Sequence, residues 1–161
     1  MTKLLVVYHS RSGNTAKMAE AVAEGARNGG ADVVMKKVDE ATVEDLAAAD
    51  GVVFGAPTYF GTLSAEMKSF IDKSVRVRGK LESKVGAAFT SSGSLSGGNE
   101  TTLISIIEAM LIHGMIIVGD PIETGGHYGA VAVGAPDAGA LIACRKLGER
   151  VAKFAKLLAS A

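Results

Sequence analysis

The chain has 161 residues, 48% of them hydrophobic and 21% charged, which suits one folded domain over residues 1–161 and excludes a disordered polypeptide. Its 17 basic and 17 acidic side chains balance, so we expect neither nucleic acid nor an anionic membrane surface as a partner. Cys144 is the single cysteine, which excludes an internal disulfide framework and favours the cytoplasm. We expect no signal peptide before the first apolar run, and no apolar run reaches the length of a membrane span.

Five short apolar runs and five amphipathic runs alternate along the chain. The apolar runs predict buried strands, and the runs with hydrophobic residues three and four positions apart predict helices. The predicted strands are residues 3–8, 32–38, 51–56, 84–90 and 115–118, the last with 130–133 as a candidate continuation. The predicted helices are residues 14–27, 42–49, 64–74, 100–113 and 137–158. This alternation indicates an α/β fold with an open, mostly parallel sheet and helices on both faces.

A few residues define the ends and faces of these elements. Thr42 and Ser64 precede two predicted helices and are expected to cap them, and Pro57 is expected to end the third strand. In the fourth helix we expect Leu111 to share the buried face with the other apolar residues. The second strand carries charged side chains, which favours a position at the edge of the sheet.

Three loops follow the first, third and fourth predicted strands, at residues 10–15, 57–63 and 91–99. Below they are called the first, second and third loop. Because the carboxyl ends of parallel strands meet at one edge of a sheet, ligands of such folds bind at that edge. We therefore expect the functional residues of the chain in these three loops.

The first loop lies in the stretch Y-H-S-R-S-G-N-T at residues 8–15. Its hydroxyl groups offer neutral hydrogen-bond donors, Gly13 lets the backbone close around an anion, and the helix start that follows favours negative charge. The stretch contains neither the Walker pattern nor the dinucleotide fingerprint. It predicts a phosphate site, and an ordinary strand-to-helix turn with a Ser or Thr cap is the alternative.

The second and third loops offer different groups. Tyr59 and Phe60 give flat apolar surfaces for a ring ligand, unless they fold back on the core. The third loop, S-S-G-S-L-S-G-G, exposes backbone N–H groups that could hydrogen-bond the edge of a heterocycle, unless it is an ordinary flexible surface loop. Leu95 stands where a nucleophile elbow needs serine, which excludes that motif. Together the three loops predict a planar heterocycle that carries a phosphate.

Five stretches, in this order, resemble those of a known family. They are G-A-P-T-Y-F-G at 55–61, M-K-S-F-I-D at 67–72, S-S-G-S-L-S-G-G-N-E-T-T at 91–102, H-G-M-I-I-V at 113–118 and G-G-H-Y-G-A at 125–130. With the first loop, they make the chain similar over its whole length to the flavodoxin-like FMN proteins, and more closely to the Trp-repressor-binding-protein type (WrbA-like) of NAD(P)H:quinone oxidoreductase. The resemblance implies a three-layer flavodoxin-like fold with five parallel strands in the order 2-1-3-4-5, FMN as cofactor and NAD(P)H as electron donor.

The resemblance also implies a role for each loop, and we expect no metal site. The FMN phosphate would contact Ser10, Arg11, Ser12, Gly13, Asn14 and Thr15. The isoalloxazine would be flanked by Pro57, Thr58, Tyr59, Phe60 and Gly61. The ring edge and the ribityl chain would contact Ser91, Ser92, Gly93, Ser94, Leu95, Ser96 and Gly97.

Three side chains, Tyr59, His113 and His127, are candidates to give a proton to a quinone oxygen. His113 matches a family position near the flavin that could face a neighbouring subunit, and a helix C-cap before Gly114 is the alternative. His127 lies in a glycine-rich stretch without a clear family match. The resemblance implies a homo-oligomer, either a dimer or a tetramer, although the segments that support the tetramer in the family are shortened here.

Two functions stay open at this point. Hydride transfer from NAD(P)H through FMN to a small-molecule quinone is favoured, because the balanced charge, the absence of tryptophan and Leu95 suit an open flavin face. A single-electron carrier that docks with redox protein partners is the alternative, and such carriers usually present an acidic face. A receiver or phosphatase domain is excluded, because the phosphate loop has no cysteine and Gly55-Ala56 stand where a receiver needs aspartate.

Overall fold

The computed structural model describes residues 1–160, and this part of the chain forms seven strands and five α-helices. The strands are β1 (Lys3–Tyr8), β2 (Asp32–Lys37), β3 (Gly51–Tyr59), β4 (Thr62–Leu63), β5 (Val85–Ser92), β6 (Ile116–Ile117) and β7 (Ala130–Val133). The helices are α1 (Asn14–Asn28), α2 (Val43–Ala48), α3 (Ala65–Lys73), α4 (Asn99–Ile112) and α5 (Ala138–Ala159). Two short 3₁₀ turns occur at Ser74–Val77 and Ile122–Thr124. Every predicted strand and helix is present.

The strands form one sheet in the order β2-β1-β3-β5-β6, and each neighbouring pair on this path is parallel. β6 pairs with the start of β5 at Val85 and Gly86, and β7 pairs in parallel with its end, from Phe89 to Ser92. The fifth position of the sheet is therefore shared by β6 and β7, and residues 118–129 leave the sheet between them. The predicted order 2-1-3-4-5 is confirmed, and both candidate segments contribute to the fifth strand.

The prediction that Pro57 ends the third strand was wrong, because β3 continues to Tyr59 and Pro57 pairs with Ser91 of β5. β1 ends at Tyr8, opposite Gly55, so beyond that point one side of β3 has no neighbouring strand. Proline has no backbone N–H to donate, and on this side no strand requires one. After Tyr59 the chain turns through two residues with positive φ and returns as the antiparallel β4. The second loop is therefore a hairpin.

Helices cover both faces of the sheet and create two hydrophobic clusters. Leu4 and Val6 of β1 pack with α1 and α5 on one face, whereas Leu5 and Val7 pack with α2, α3 and α4 on the other. This alternation along β1 follows from the period of two in a strand. No helix within residues 1–160 is long and apolar enough to cross a membrane.

Smaller predictions had mixed outcomes. Strand β2 lies at the edge of the sheet, and Thr42 caps α2 in a capping box with Asp45, both as predicted. Leu111 is 56% exposed, so its predicted position on the buried face of α4 was wrong. The buried stripe of α4 runs through Met110, and the next residue along a helix is turned by about 100° away from such a stripe.

Candidate functional site

Hydroxyl groups join the first loop to the third, and the second loop to the residues on either side of the third, at the carboxyl edge of the sheet. The hydroxyl oxygens of Thr15 and Ser91 lie 2.9 Å apart, which connects the first loop with the third. The Thr102 hydroxyl donates to Thr58 Oγ1 at 2.9 Å, and Thr58 in turn lies 3.0 Å from Thr90 Oγ1. The structure therefore brings together the three loops that the sequence predicted separately.

The first loop leaves space and free donors beside the start of α1. The backbone N–H of Gly13 donates to Ser10 Oγ at 3.1 Å, and Gly13 has a φ of +98°. No atom lies within 4 Å of the position that a Cβ at Gly13 would occupy, and no side chain caps the helix. Because the N–H groups of the first helical turn have no intrahelical acceptor, this cradle fits an anion such as a phosphate. The predicted alternative, a Ser or Thr cap, is not formed.

The two aromatic residues of the second loop occupy different environments. Tyr59 is half-buried, with the guanidinium of Arg11 5.1 Å from its ring centroid and the ring of His9 6.3 Å away edge-on. Phe60 lies at the tip of the hairpin, fully exposed, with a φ of +48°. Neither ring folds back into the core as the alternative supposed. The guanidinium of Arg11, predicted at the phosphate, stacks on Tyr59 in this structure.

His9 also explains why Ser64 does not cap α3. Ser64 occupies the N-cap position, but its side chain makes no capping hydrogen bond. Its hydroxyl oxygen lies 2.9 Å from Nδ1 of His9, and Glu66 Oε2 lies 3.5 Å from the same nitrogen. The predicted cap was therefore wrong, because the imidazole binds the hydroxyl group instead.

The third loop is anchored at both ends. Ser91 and Ser92 belong to β5, and the Ser92 hydroxyl donates to the carbonyl oxygen of Ser94 at 2.9 Å. At the other end, Gly98 has a φ of +110°, and a Cβ there would lie 2.5 Å from Cα of Gly61. This close approach needs glycine at position 98 and sets the third loop against the hairpin.

The two histidines predicted as candidates lie at opposite ends of the molecule. His113 is the C-cap of α4, and the helix starts at the third loop with Asn99 and spans 14 residues, which corresponds to about 21 Å. Nε2 of His113 lies 2.7 Å from Ser74 Oγ. Burial lowers the pKa of His113, and the positive charge of Arg78 lowers it further. Within this chain His113 does not lie near the loops, and the alternative of a helix cap is the one that the structure supports.

His127 lies at the carboxyl edge, next to a residue that the sequence reasoning missed. The side chain of Asp120 is 1% exposed and accepts a hydrogen bond from the backbone N–H of His127 at 2.9 Å. Asn99 was also missed, although it begins α4 directly after the third loop. An isolated acid between glycine and proline after an apolar run, as in residues 116–121, is the signal that could have drawn attention to Asp120.

Comparison with known proteins identifies the family of the chain. Residues 5–110 match the family model of the flavodoxin domain. The chain belongs to this family. A relative from Archaeoglobus fulgidus, named NAD(P)H dehydrogenase (quinone), is 40% identical over 98% of this chain and 100% of the relative. A relative from Aquifex aeolicus, named flavodoxin, is 44% identical over 96% of this chain and 87% of the relative.

The solved structures agree with the sequence relatives. The flavodoxin, WrbA-like protein from Agrobacterium tumefaciens superimposes with a TM-score of 0.85 and 34% identity, over 98% of this chain and 99% of that one. Both the predicted family and the predicted fold class are confirmed. The chain thus carries, at the expected edge, an uncapped helix start with open space at Gly13, two loop aromatics and a loop rich in serine and glycine.

Proposed function

We propose that the protein is an FMN-dependent NAD(P)H:quinone oxidoreductase. The observation that carries the proposal is the set of hydroxyl hydrogen bonds that link the first loop to the third and the second loop to the residues flanking the third, together with an uncapped helix start beside Gly13. A phosphate cradle that adjoins aromatic and amide-rich loops suits a flavin mononucleotide better than free phosphate. Relatives from Archaeoglobus fulgidus and Sinorhizobium fredii, 40% and 39% identical, carry the name of this activity.

Each loop has its own part in this proposal. Residues 10–15 hold the phosphate, with hydroxyl groups and backbone N–H groups as donors. Residues 57–61 flank the isoalloxazine, and residues 91–97 contact its edge and the ribityl chain. Bound FMN would supply two-electron chemistry between a reduced nicotinamide and a quinone.

The chain itself supplies binding and electrostatics. Backbone N–H groups of the third loop would stabilise negative charge that develops at the ring edge. The Arg11 guanidinium on Tyr59 holds one wall of the second loop in place. A homo-oligomeric state and a cytoplasmic location remain predictions from the sequence.

A reductase is favoured over a single-electron carrier for two reasons. No atom lies within 4 Å of a Cβ built on Gly93, and Leu95 is 83% exposed, so the third loop leaves room for a stacking substrate. The balanced charge of 17 basic and 17 acidic side chains does not favour docking with a redox protein through an acidic face. The carrier stays the second candidate because the relative from Aquifex aeolicus is named flavodoxin.

The decisive experiment is anaerobic reduction of the FMN-loaded protein. NADPH or NADH is mixed with the protein, flavin absorbance is followed, and benzoquinone is then added. We expect rapid and complete loss of flavin absorbance with one of the nucleotides and its recovery with the quinone. No loss with either nucleotide, together with two well-separated one-electron potentials in a redox titration, would favour the carrier instead.

A further inference from the structure

A cavity of about 690 Å³ lies beside the third loop, at the edge of the sheet where β7 is the outermost strand. Its walls come from Leu95, the first turn of α4, β7, the start of α5 and residues 120–129. Of these walls, Leu95 alone belongs to the residues proposed to hold FMN. The cavity therefore adjoins the proposed flavin site without being part of it.

Asn99 contributes an amide to this cavity. The residue is 6% exposed, and its Oδ1 is a buried acceptor without a hydrogen-bond partner among the residues that the structure describes. Such an atom is unfavourable in a folded protein, and a ligand that brings an O–H or N–H group would satisfy it. The amide thus selects for a ligand with a hydrogen-bond donor.

Asp120 and His127 form a pair in the wall of the same cavity. The carboxylate of Asp120 accepts hydrogen bonds from the Thr124 hydroxyl at 3.0 Å and from the backbone N–H of His127 at 2.9 Å. Its Oδ2 lies 3.4 Å from Nδ1 of His127, whose side chain is 66% exposed. A carboxylate beside Nδ1 holds one N–H on that nitrogen, so the second proton of an imidazolium, on Nε2, is the one that can pass to a ligand.

The charges of the cavity restrict the ligand further. Glu100, Asp120, His127 and Tyr128 are the charged or titratable side chains that line it, and no lysine or arginine contributes within the described chain. The pyrophosphate of a nicotinamide dinucleotide would meet negative charge here. Leu103 and Tyr128 add apolar surface, which suits a flat neutral ring. An aromatic ring with a hydroxyl group meets all of these conditions.

We propose that this cavity binds the quinone and its hydroxylated product, with His127 as proton donor and Asp120 as the residue that positions it. The inference rests on the proposed function. The quinone gains two electrons and one proton as a hydride equivalent that originates in the nicotinamide donor, and it gains a second proton from Nε2 of His127 in its doubly protonated imidazolium form. An N–H bond breaks, an O–H bond forms, and solvent returns a proton to the imidazole. The new hydroxyl group donates to Oδ1 of Asn99.

The first test measures binding without turnover. The probes are 2-naphthol, which has the ring and one hydroxyl donor, and 2-methoxynaphthalene, which has the same ring without the donor. Each is titrated into ¹⁵N-labelled, FMN-loaded protein while amide chemical shifts are recorded. We expect 2-naphthol to shift amides of residues 120–131 and of Asn99, and to bind about tenfold more tightly than the ether, as one hydrogen bond predicts.

Two variants make the binding test specific. Asn99→Leu removes the acceptor and is expected to weaken 2-naphthol about tenfold while leaving the ether unchanged. Glu108→Gln, on the exposed face of α4, is the matched control and is expected to change neither affinity. Equal affinity of the two probes, shifts confined to the first and second loops, or full 2-naphthol affinity of Asn99→Leu would overturn the proposed site.

The proton transfer has its own readouts. His127→Gln is expected to slow quinone reduction by about 100-fold and to leave flavin reduction by the nicotinamide unchanged. In Asp120→Asn, the ¹⁵N shifts of the His127 ring are expected to change from a pattern with the proton on Nδ1 to a mixture of tautomers, which a purely structural role of Asp120 would not produce. A native rate of quinone reduction in His127→Gln would show that this imidazole is not the donor.

The two proposals can fail separately. FMN titration and anaerobic flavin reduction are measured on the same samples as the probe titrations. Failure of FMN binding or reduction would overturn the proposed function, and the proton transfer with it. Intact flavin chemistry in a protein that does not bind 2-naphthol at the cavity would overturn this inference alone.

Discussion

Within residues 1–160, the two edges of the sheet each contain one buried side-chain atom without a hydrogen-bond partner, and both atoms belong to residues at the ends of α4. At the carboxyl edge, Oδ1 of Asn99 is unpaired at the start of the helix. At the amino edge, Nδ1 of His113 is unpaired at its end, although Nε2 lies 2.7 Å from Ser74 Oγ. The same helix therefore allows a direct comparison of the two regions.

The two unpartnered atoms have different surroundings. Asn99 lines a cavity whose wall also holds a buried carboxylate and an exposed imidazole. His113 is partly buried and lies near the positive charge of Arg78, and both effects lower its pKa. An unpartnered atom indicates a ligand where a cavity and complementary groups converge on it, and elsewhere it indicates a side chain that resists ionisation.

The largest effect is expected from breaking the carboxyl edge at Gly13. Valine there would fill the open space that we assign to the phosphate and would strain a backbone with φ +98°. We expect Gly13→Val to lower FMN affinity by about 100-fold or more while the apoprotein stays folded. Quenching of FMN fluorescence on titration measures the affinity, and circular dichroism the fold.

Gly79 provides the matched control at the amino edge. It has a φ of +87° and, like Gly13, no atom within 4 Å of a built Cβ. Gly79→Val therefore introduces similar strain away from the three loops and is expected to leave FMN affinity unchanged. Equal loss of affinity in both variants would contradict the assignment of the first loop to the phosphate.

A smaller effect is expected at the hydrogen bond between Thr15 and Ser91. Both side chains are buried, and their oxygens lie 2.9 Å apart. Thr15→Val and Ser91→Ala are each expected to lower the free energy of unfolding by about 1–2 kcal/mol. Each substitution leaves the hydroxyl group of the other residue buried without its hydrogen-bond partner. In the double variant, the loss in free energy of unfolding should be about 1 kcal/mol smaller than the sum of the two single losses. Urea unfolding of the FMN-free protein measures all four corners of this cycle, and strict additivity would show that the bond does not couple the loops.

The comparison of the edges also shows what a sequence can predict. The three loops were predictable because hydroxyl groups, glycines and aromatics follow apolar strands directly, and a parallel sheet brings such loops together. The partners of Asp120 were not predictable, because they depend on the path of residues 118–129 between β6 and β7. That path departs from regular periodicity, so no pattern of hydrophobic residues indicates where it leads.

Competition between local and tertiary contacts explains most remaining differences. Ser64 is a good capping residue by type, but the imidazole of His9, distant in sequence, binds its hydroxyl group. Pro57 is a strand breaker by type, but β3 has lost its neighbour β1 at that point and tolerates it. His113 matched a family stretch, yet the length of α4 separates it from the loops of its own chain.

At the amino edge, the effect of His113 is expected to depend on pH. Because its pKa in the folded protein is lowered below the ordinary 6.5, the unfolded chain binds the proton more readily. The contribution of this residue to stability is fully present above pH 6.5 and is lost as the pH falls through 6.5 towards the lowered value. We expect this residue to contribute to the decrease in Tm between pH 7.5 and 5.5.

His113→Gln tests this dependence, since glutamine can hydrogen-bond Ser74 but does not titrate. Thermal unfolding of FMN-free protein at several pH values should show a flatter decrease of Tm in the variant than in the native chain. FMN affinity at pH 7.5 should be the same in both. A parallel pH profile would mean that other groups cause the decrease, and a lost FMN affinity would place His113 at the cofactor site of a neighbouring subunit.

The smallest effect is expected in the core between the two edges, at Cys144. Burial raises the pKa of its thiol to about 12, and the residue is fully buried on α5. Since the thiolate is the reactive form, we expect no measurable alkylation by iodoacetamide in the folded protein at pH 8, and one equivalent after unfolding in guanidinium chloride. Mass spectrometry counts the label on this single thiol.

Gly13→Val and Gly79→Val, which carry similar backbone strain at opposite edges, should remain equally unlabelled. Rapid labelling of Gly13→Val alone would show that strain at the carboxyl edge opens the core, and that its loss of FMN affinity is a loss of structure rather than of the phosphate cradle.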